Sequence, residues 1–237
     1  MEKTSTSAET PRVDWKRAVE TYKPLHVRYP HGELVFQIGT YAAGTYLVSA
    51  GLVSDRCAAQ GERHRTPPLE ILGPGDLIGL EVLLDRHRDL HLSCARAVTD
   101  AELFFFEREL FLQVLEQEAG IERYCLAYLA RRFYSMKQRT GLLFTSRVEE
   151  RLAQLLLDLA ERCGERLDGE NVTLPCEITL PILAQLLGRS AARVGRATES
   201  LPGISQQGER LVVSSDALRA HLAETADLRS RARGSPR

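Results

Sequence analysis

The stretch "ITLPILAQLLGRSAARVGRAT", Ile178 to Thr198, sets two short helical patterns on either side of one glycine. Thr179 stands where a cap is needed before Leu180–Leu187, and Gly188 can take the left-handed conformation that ends such a helix. Ser190 repeats the cap for a second helix, Ala191 to about Ser200. Leu183, Ala184, Leu187, Val194 and Leu201 form the inward set, with Ala184 small enough to let the two helices cross closely. This is the pattern of a helix-turn-helix, whose second helix has its N-terminus free to enter a major groove. The same spacing occurs in ordinary helical pairs, so the continuation matters. "GISQQGERLVVSS" (203–215) reads as a strand, a tight turn around Gln207 and Gly208, and a second strand, which makes a winged unit. Arg189, Arg193 and Arg196 lie on the exposed side of the second helix, and arginine either bridges guanine edges or clamps phosphate. The hydroxyl and unpaired N–H groups at Ser190 suit a phosphate contact.

Upstream of this unit, "SRVEERLAQLLLDLAERCG" (146–164) reads as a helix. Ser146 is its expected cap, Glu149 completes a capping box, Val148, Leu152, Leu155, Leu156 and Leu159 face inward, and Gly164 is the stop. Before it, Glu107 to Ser146 is free of proline. Leu126, Leu129, Phe133, Met136, Thr140 and Leu143 recur there at alternating steps of three and four, a narrow seam that asks for another helix. The same helix of a second copy would fill that role, giving an isologous dimer; packing on the chain's own sheet is the alternative. Between Arg28 and Phe106 the grammar is different. Apolar runs such as "GELVFQIG", "TYLVSAGLVS", "LEILGPGDLIGLEVLL", "LHLSCARAV" and "AELFFFE", cut by glycines, are strand signals that suggest an antiparallel sandwich or barrel.

Composition bounds the rest. The chain has 237 residues, a formal charge of -1 and 43% hydrophobic residues, enough for two modest cores. From Arg189 to Arg237, nine arginines and no lysine face five acidic residues, a basic segment in an otherwise acidic chain, as a duplex-facing surface requires. Arg229, Arg231, Arg233 and Arg237 read as a disordered tail. No run approaches the roughly 18 apolar residues of a membrane span, and the polar start carries no apolar signal core, so a cytoplasmic location is expected. Cys57, Cys94, Cys125, Cys163 and Cys176 are odd in number and far apart, unlike a disulfide framework or a metal knuckle, and no metal site is expected. The chain has no H-E-x-x-H, no G-x-S-x-G and no phosphate-cradling glycine loop with its lysine, so no enzyme is indicated.

The pieces "HGELVFQIG", "GTYLVSAGLV", "ILGPGDLIGLEVLL", "CARAVTDAELFFFE", "VEERLAQLLLDLA" and "ITLPILAQLLGRSAARVGRAT" occur in order across nearly the whole chain. Through them the sequence resembles the cyclic-AMP receptor protein and fumarate-nitrate regulator superfamily of bacterial transcription factors. The resemblance implies an α+β protein: an antiparallel beta-roll of the cyclic-nucleotide-binding type, a long dimerisation helix and a C-terminal winged helix-turn-helix. It further implies a homodimer on palindromic promoter DNA, with RNA polymerase as a partner. The expected units are a flexible lead-in (1–24), the sensor-like roll (25–110), the dimerisation helix (111–145), the winged domain (146–226) and a disordered tail (227–237). The expected DNA-contacting set is Thr179, Arg189, Ser190, Ala191, Arg193, Arg196, Gln207 and Arg210. The family's recognition helix often opens Ser-Arg-Glu; here Ala191 and Ala192 hold two of those positions, so the site sequence should differ there.

The effector side departs further from the resemblance. Nucleotide-binding members carry a glutamate after Phe-Gly for the ribose and an Arg-Ser pair for the phosphate. This chain has Ile78-Gly79-Leu80-Glu81, one residue displaced, which along a strand would turn the carboxylate to the other face, and His91-Leu92 at the pair. Leucine cannot bond phosphate and neutral histidine clamps it weakly, so cyclic AMP is not expected to bind in the usual way. Glu81, Arg88, His91 and Cys94 are the remaining effector-site candidates. Residues 1–56 hold no cysteine, which argues against an iron-sulfur cluster. Haem held by a histidine or cysteine, thiol redox sensing, and action without any effector stay open, as does a dimeric interaction module that binds no DNA.

Overall fold

A computed structural model describes residues 13–57, 70–85, 89–145 and 147–233. The described chain opens with helix α1 (Trp15–Tyr22), capped by Asp14, whose carboxylate accepts from the Arg17 N–H at 3.0 Å. The expected flexible lead-in is thus corrected for residues 13–24. Trp15, Ala18, Val19 and Tyr22 make an apolar stripe that docks on Phe106, Phe111 and Tyr128, with Trp15 edge-on to Tyr124 at 5.6 Å.

The roll follows. Strands β1 (Leu25–Tyr29), β2 (Leu34–Phe36), β3 (Gly44–Ala50), β4 (Val53–Cys57), β5 (Glu70–Leu72) and β6 (Leu77–Ile78) precede the short helix α2 (Leu80–Leu84). Strands β7 (Ser93–Ala97) and β8 (Ala101–Glu107) complete it. One antiparallel sheet has the order β1-β8-β3-β6 and the other β2-β7-β4-β5. Their inner faces alternate with outward residues, as β7 shows, and enclose Val48, Val53, Leu72, Ile78 and Leu103. Gly44 has to be glycine, because a Cβ there would collide with the Phe106 carbonyl oxygen on the neighbouring strand. The run "LEILGPGDLIGLEVLL", expected to be strand, turns helical at residue 80, where Gly79 takes φ +80° as the residue before the helix. Leu80, Val82 and Leu83 are buried by that turn, which accounts for the apolar run.

The long helical stretch is two helices, α3 (Arg108–Gln117) and α4 (Ala119–Thr145), broken at Glu118. Phe111 and Val114 of α3 are buried in the roll's lower core, whereas α4 carries its seam away from it. Helix α5 (Val148–Cys163) follows, with Arg147 as the residue before it; the expected cap Ser146 lies outside the described residues. Then come β9 (Glu165–Asp168), β10 (Asn171–Thr173), α6 (Leu180–Leu187), α7 (Ala191–Ser200), β11 (Ile204–Gln207), β12 (Arg210–Ser214) and α8 (Ser215–Arg233). The wing is a four-stranded sheet, β11-β12-β10-β9. Strand β9 carries no apolar signal because all four of its residues are exposed. Helix α8 corrects the expected disordered tail as far as Arg233: Leu218 is buried and Leu222 packs on the α5 core, so the arginines beyond sit on a continuing helix.

The two halves share a core. Leu52, Ile71 and Val98 of the roll pack with Leu152, Leu156 and Leu159 of α5, Leu183 and Leu187 of α6, and Val194 of α7. Burial of that apolar surface, at about 25 cal/mol per Å², is the main force seating the C-terminal half.

Candidate nucleic-acid interface

The face is built from the α6–α7 turn. Gly188 takes φ +61°, and the turn is closed by the Arg189 N–H donating to the Ala184 carbonyl at 2.9 Å. Leu183, Ala184, Leu187, Val194 and Leu201 are all buried, so the orientation of α7 is set by apolar packing. That leaves Arg189, Ser190, Ala191, Arg193 and Arg196 exposed on one side. Thr179 and Ser190 precede their helices in extended conformation, and neither makes a side-chain cap bond. A cleft of about 650 Å³ runs between the helices, lined by Gln185, Arg189, Ser190 and Arg193 among others. In the wing, Gln207 and Arg210 flank the turn and both are exposed, but Arg210 is paired with Glu165 of β9 at 2.9 Å.

Sequence reasoning missed Arg151. It is buried on α5 beside Leu152, and its guanidinium donates to the carbonyl of Leu187, the last residue of α6, at 2.6 Å. A cation at a helix C-terminus satisfies an orphan carbonyl and the dipole together. Burial and the nearby Arg189 lower its pKa from the arginine value. The only signal in the sequence is an arginine abutting the apolar stripe of α5.

In the roll, the four effector candidates are not assembled into one seat. Arg88 lies outside the described residues. Glu81 sits in the first turn of α2, where the strand-face argument does not apply; its Oε2 is buried without a hydrogen-bond partner, and burial raises its pKa. His91, an effector-site candidate, is only 4% exposed and stacks on Phe36 at 3.7 Å and 7°. A Cβ on Gly79 would stand 3.3 Å from its Cε1, so the imidazole is wedged between Phe36 and that backbone. Burial pushes its pKa down from 6.5 to about 4, which keeps the ring neutral. Cys94 is half-buried on β7, its sulfur accepting from the Ile38 N–H at 3.3 Å.

These contacts do not fit a haem axial ligand. His91 would have to leave Phe36, His26 is paired with Glu102 at 3.2 Å, and His31 Nδ1 is 2.6 Å from the Val98 carbonyl oxygen. His64, His87 and the Cys57 side chain lie outside the described residues. Among the described residues no His, Cys, Asp and Glu group is arranged to hold a metal ion, and no helix is long and apolar enough to cross a membrane.

Beside Glu81 lies a cluster that sequence reasoning did not find. Arg132 of α4 reaches Asp55 of β4 at 3.1 Å and Glu70 of β5 at 3.0 Å. The seam itself is mostly bare: Leu126, Phe133 and Met136 are 61%, 58% and 54% exposed. Leu129 is the exception, turned inward against the roll's lower core, and the Leu143 side chain lies outside the described residues.

A roll leading through a long helix into a winged helix-turn-helix with a cationic second helix is the architecture of a DNA-binding transcription regulator. Residues 26–118 match the cyclic nucleotide-binding domain family. Over most of its length the chain is similar to regulators of the cyclic-AMP receptor type. It is 28% identical over 172 residues to the CRP-like cAMP-activated global transcriptional regulator of Mycobacterium tuberculosis, covering 72% of this chain and 74% of that one. It is 26% identical to the cAMP-activated global transcriptional regulator CRP of Escherichia coli, covering 78% and 88%. The fold is shared with FixK2 from Bradyrhizobium japonicum, at a TM-score of 0.69 and 20% identity over 84% of this chain and 96% of that one. A CRP/FNR-family regulator from Thermus thermophilus aligns at 0.65 and 21%, over 84% and 98%.

Proposed function

We propose that this chain is a homodimeric, sequence-specific DNA-binding regulator of transcription that cyclic AMP does not gate in the usual way. The observation that carries it is α7: its buried side is locked by Val194 and Ala197, while Ser190, Arg193 and Arg196 stand exposed at its N-terminal half. Two such helices, about one helical turn apart on a duplex, would read the half-sites of a palindrome. The functional units we assign are the roll through residue 107, α3 and α4 as the dimerising stalk, and α5 to α8 as the DNA-binding head. The exposed stalk residues Leu126, Phe133 and Met136 suit the facing helix of a second copy. Bound at a promoter, the dimer would sit beside RNA polymerase.

Arg196 is assigned to base reading, Ser190 and Arg189 to phosphate, and Arg193 to either. Arg196→Ala, measured against a duplex selected by the wild-type protein from a random pool, should lose about 1–3 kcal/mol of affinity and keep its weak binding to scrambled duplex. Equal weakening on both duplexes would reassign Arg196 to phosphate. Failure of the wild type to select any duplex would overturn the DNA-binding reading.

The effector region of this chain supports the second half of the proposal. His91 is neutral and packed on Phe36, and Leu92 offers no hydrogen bond to a cyclic phosphate. Arg132, a buried cation whose charge acts on Glu81, is already held by Asp55 and Glu70.

A further inference from the structure

Glu70 divides its two carboxylate oxygens between helices that belong to different parts of the molecule. Oε2 accepts from Arg132 Nε of the stalk at 3.0 Å, and Oε1 faces the Arg162 guanidinium, in the last turn of α5, at 2.7 Å. Asp55 takes a second Arg132 nitrogen at 3.1 Å, and Asp76 lies 3.6 Å from Arg162 while accepting from the Gly73 N–H at 2.9 Å. The side chains are largely out of solvent: Glu70 is 10% exposed, Asp55 7%, Arg132 18% and Arg162 26%. One strand carboxylate therefore ties roll, stalk and head together in a single network.

The apolar contacts around it, Leu52, Ile71 and Val98 against α5, hold the halves together without fixing how they are rotated. Charge-assisted hydrogen bonds are directional, and a guanidinium engages carboxylates through a rigid fork. A buried ion network adds little net stability over apolar side chains of the same volume, but it penalises every arrangement in which a charge loses its partner.

We infer that Glu70 and Arg162 are positioning residues for DNA recognition: together they hold each head at the angle on the stalk at which both heads of a dimer engage one duplex without a small molecule. The inference rests on the dimeric DNA-binding reading and deepens it. Two linked heads gain affinity only while their geometry allows simultaneous engagement, so a loosened head loses avidity and keeps its own half-site contacts.

The test uses full-length protein purified without added ligand, the variants Arg162→Met and Glu70→Gln, and two probes. One probe is the two-half-site duplex that the wild type selects from a random pool; the other is the same duplex with one half-site scrambled. Thermal unfolding reports whether each variant folds, and Glu70→Gln, nearly isosteric, serves if Arg162→Met does not. The expected result is a loss of about tenfold or more on the two-half-site duplex, less than about twofold on the single half-site, and a relaxed preference for half-site spacing. Equal losses on both probes would show damage to the head itself and overturn the inference, as would unchanged binding to both. If the wild type selects no duplex, the DNA-binding reading falls and this inference falls with it.

Discussion

His91 shows how far a single side chain can depart from what its type suggests. Between "DRHRD" and "LSCARA" it looks like a solvated loop histidine, and in the fold it is a neutral ring stacked flat on Phe36. Its pKa, lowered by burial from 6.5 to about 4, has a thermodynamic consequence. Below about pH 6.5 the unfolded chain takes up a proton that the folded chain refuses until about pH 4. The stabilising contribution is therefore complete above about pH 6.5 and lost as the pH falls toward 4, reaching roughly 3 kcal/mol at 1.36 kcal/mol per pK unit. Urea unfolding of the wild type and His91→Leu across this range should show the wild type's stability falling more steeply in acid. Parallel curves would mean that the ring is protonated in the folded protein near its ordinary pKa. At this scale the cationic face of α7 was legible from the sequence, because Arg189, Arg193 and Arg196 are placed by helical spacing alone. Arg151 and the Asp55–Glu70–Arg132–Arg162 network were not, since Arg132 lies 77 residues from Asp55 and no periodicity pairs them.

At the scale of elements, the turn glycines and periodicity carried the helix-turn-helix and the wing hairpin. They failed where an element is too short or too polar to leave a pattern, as at α2 and β9. They also failed at Glu118, where two helices meet within one helical grammar. The stalk illustrates how one stripe serves two partners. Leu129 turns toward the roll's lower core, and the neighbouring Leu126, Phe133 and Met136 stay out in solvent. An exposed row of that size on one helix is an association surface in waiting. Phe133→Glu combined with Met136→Glu should convert the proposed dimer to monomer in sedimentation velocity, with the thermal midpoint of the roll little changed. A double variant that still sediments as a dimer would place the interface elsewhere. Selected-duplex affinity should fall in step with dissociation, because each head alone contacts half a site.

For the whole molecule, the shared core of Leu52, Ile71 and Val98 with α5 makes the head and the roll mechanically continuous, and the buried ion network lies along the same boundary. A ligand that bound the roll would stabilise the folded protein by RT ln(1 + [L]/Kd). Cyclic AMP at about 100 times the Kd typical of a specific site would raise stability by about 2.7 kcal/mol, an easily resolved rise in the thermal midpoint. The expectation here is no shift with millimolar cyclic AMP and no change in affinity for the selected duplex. A clear shift in either would return this chain to nucleotide control, with the effector seated differently from the pattern that Glu81 and His91 break.

What the sequence determined by itself was everything that depends on neighbours three, four or seven residues apart, or on alternation along a strand. That includes the pair of helices around Gly188, the inward set from Leu183 to Leu201, the stripe of α4 and the strand character of the front half. Only the tertiary structure decided which charges are buried together, that α1 docks, that α8 continues to Arg233, and that His91 leaves water for Phe36. The physical reason is that secondary structure follows from backbone hydrogen bonding and local periodicity. Desolvation, ion pairing and the angle between two halves arise only when residues distant along the chain share one dry space.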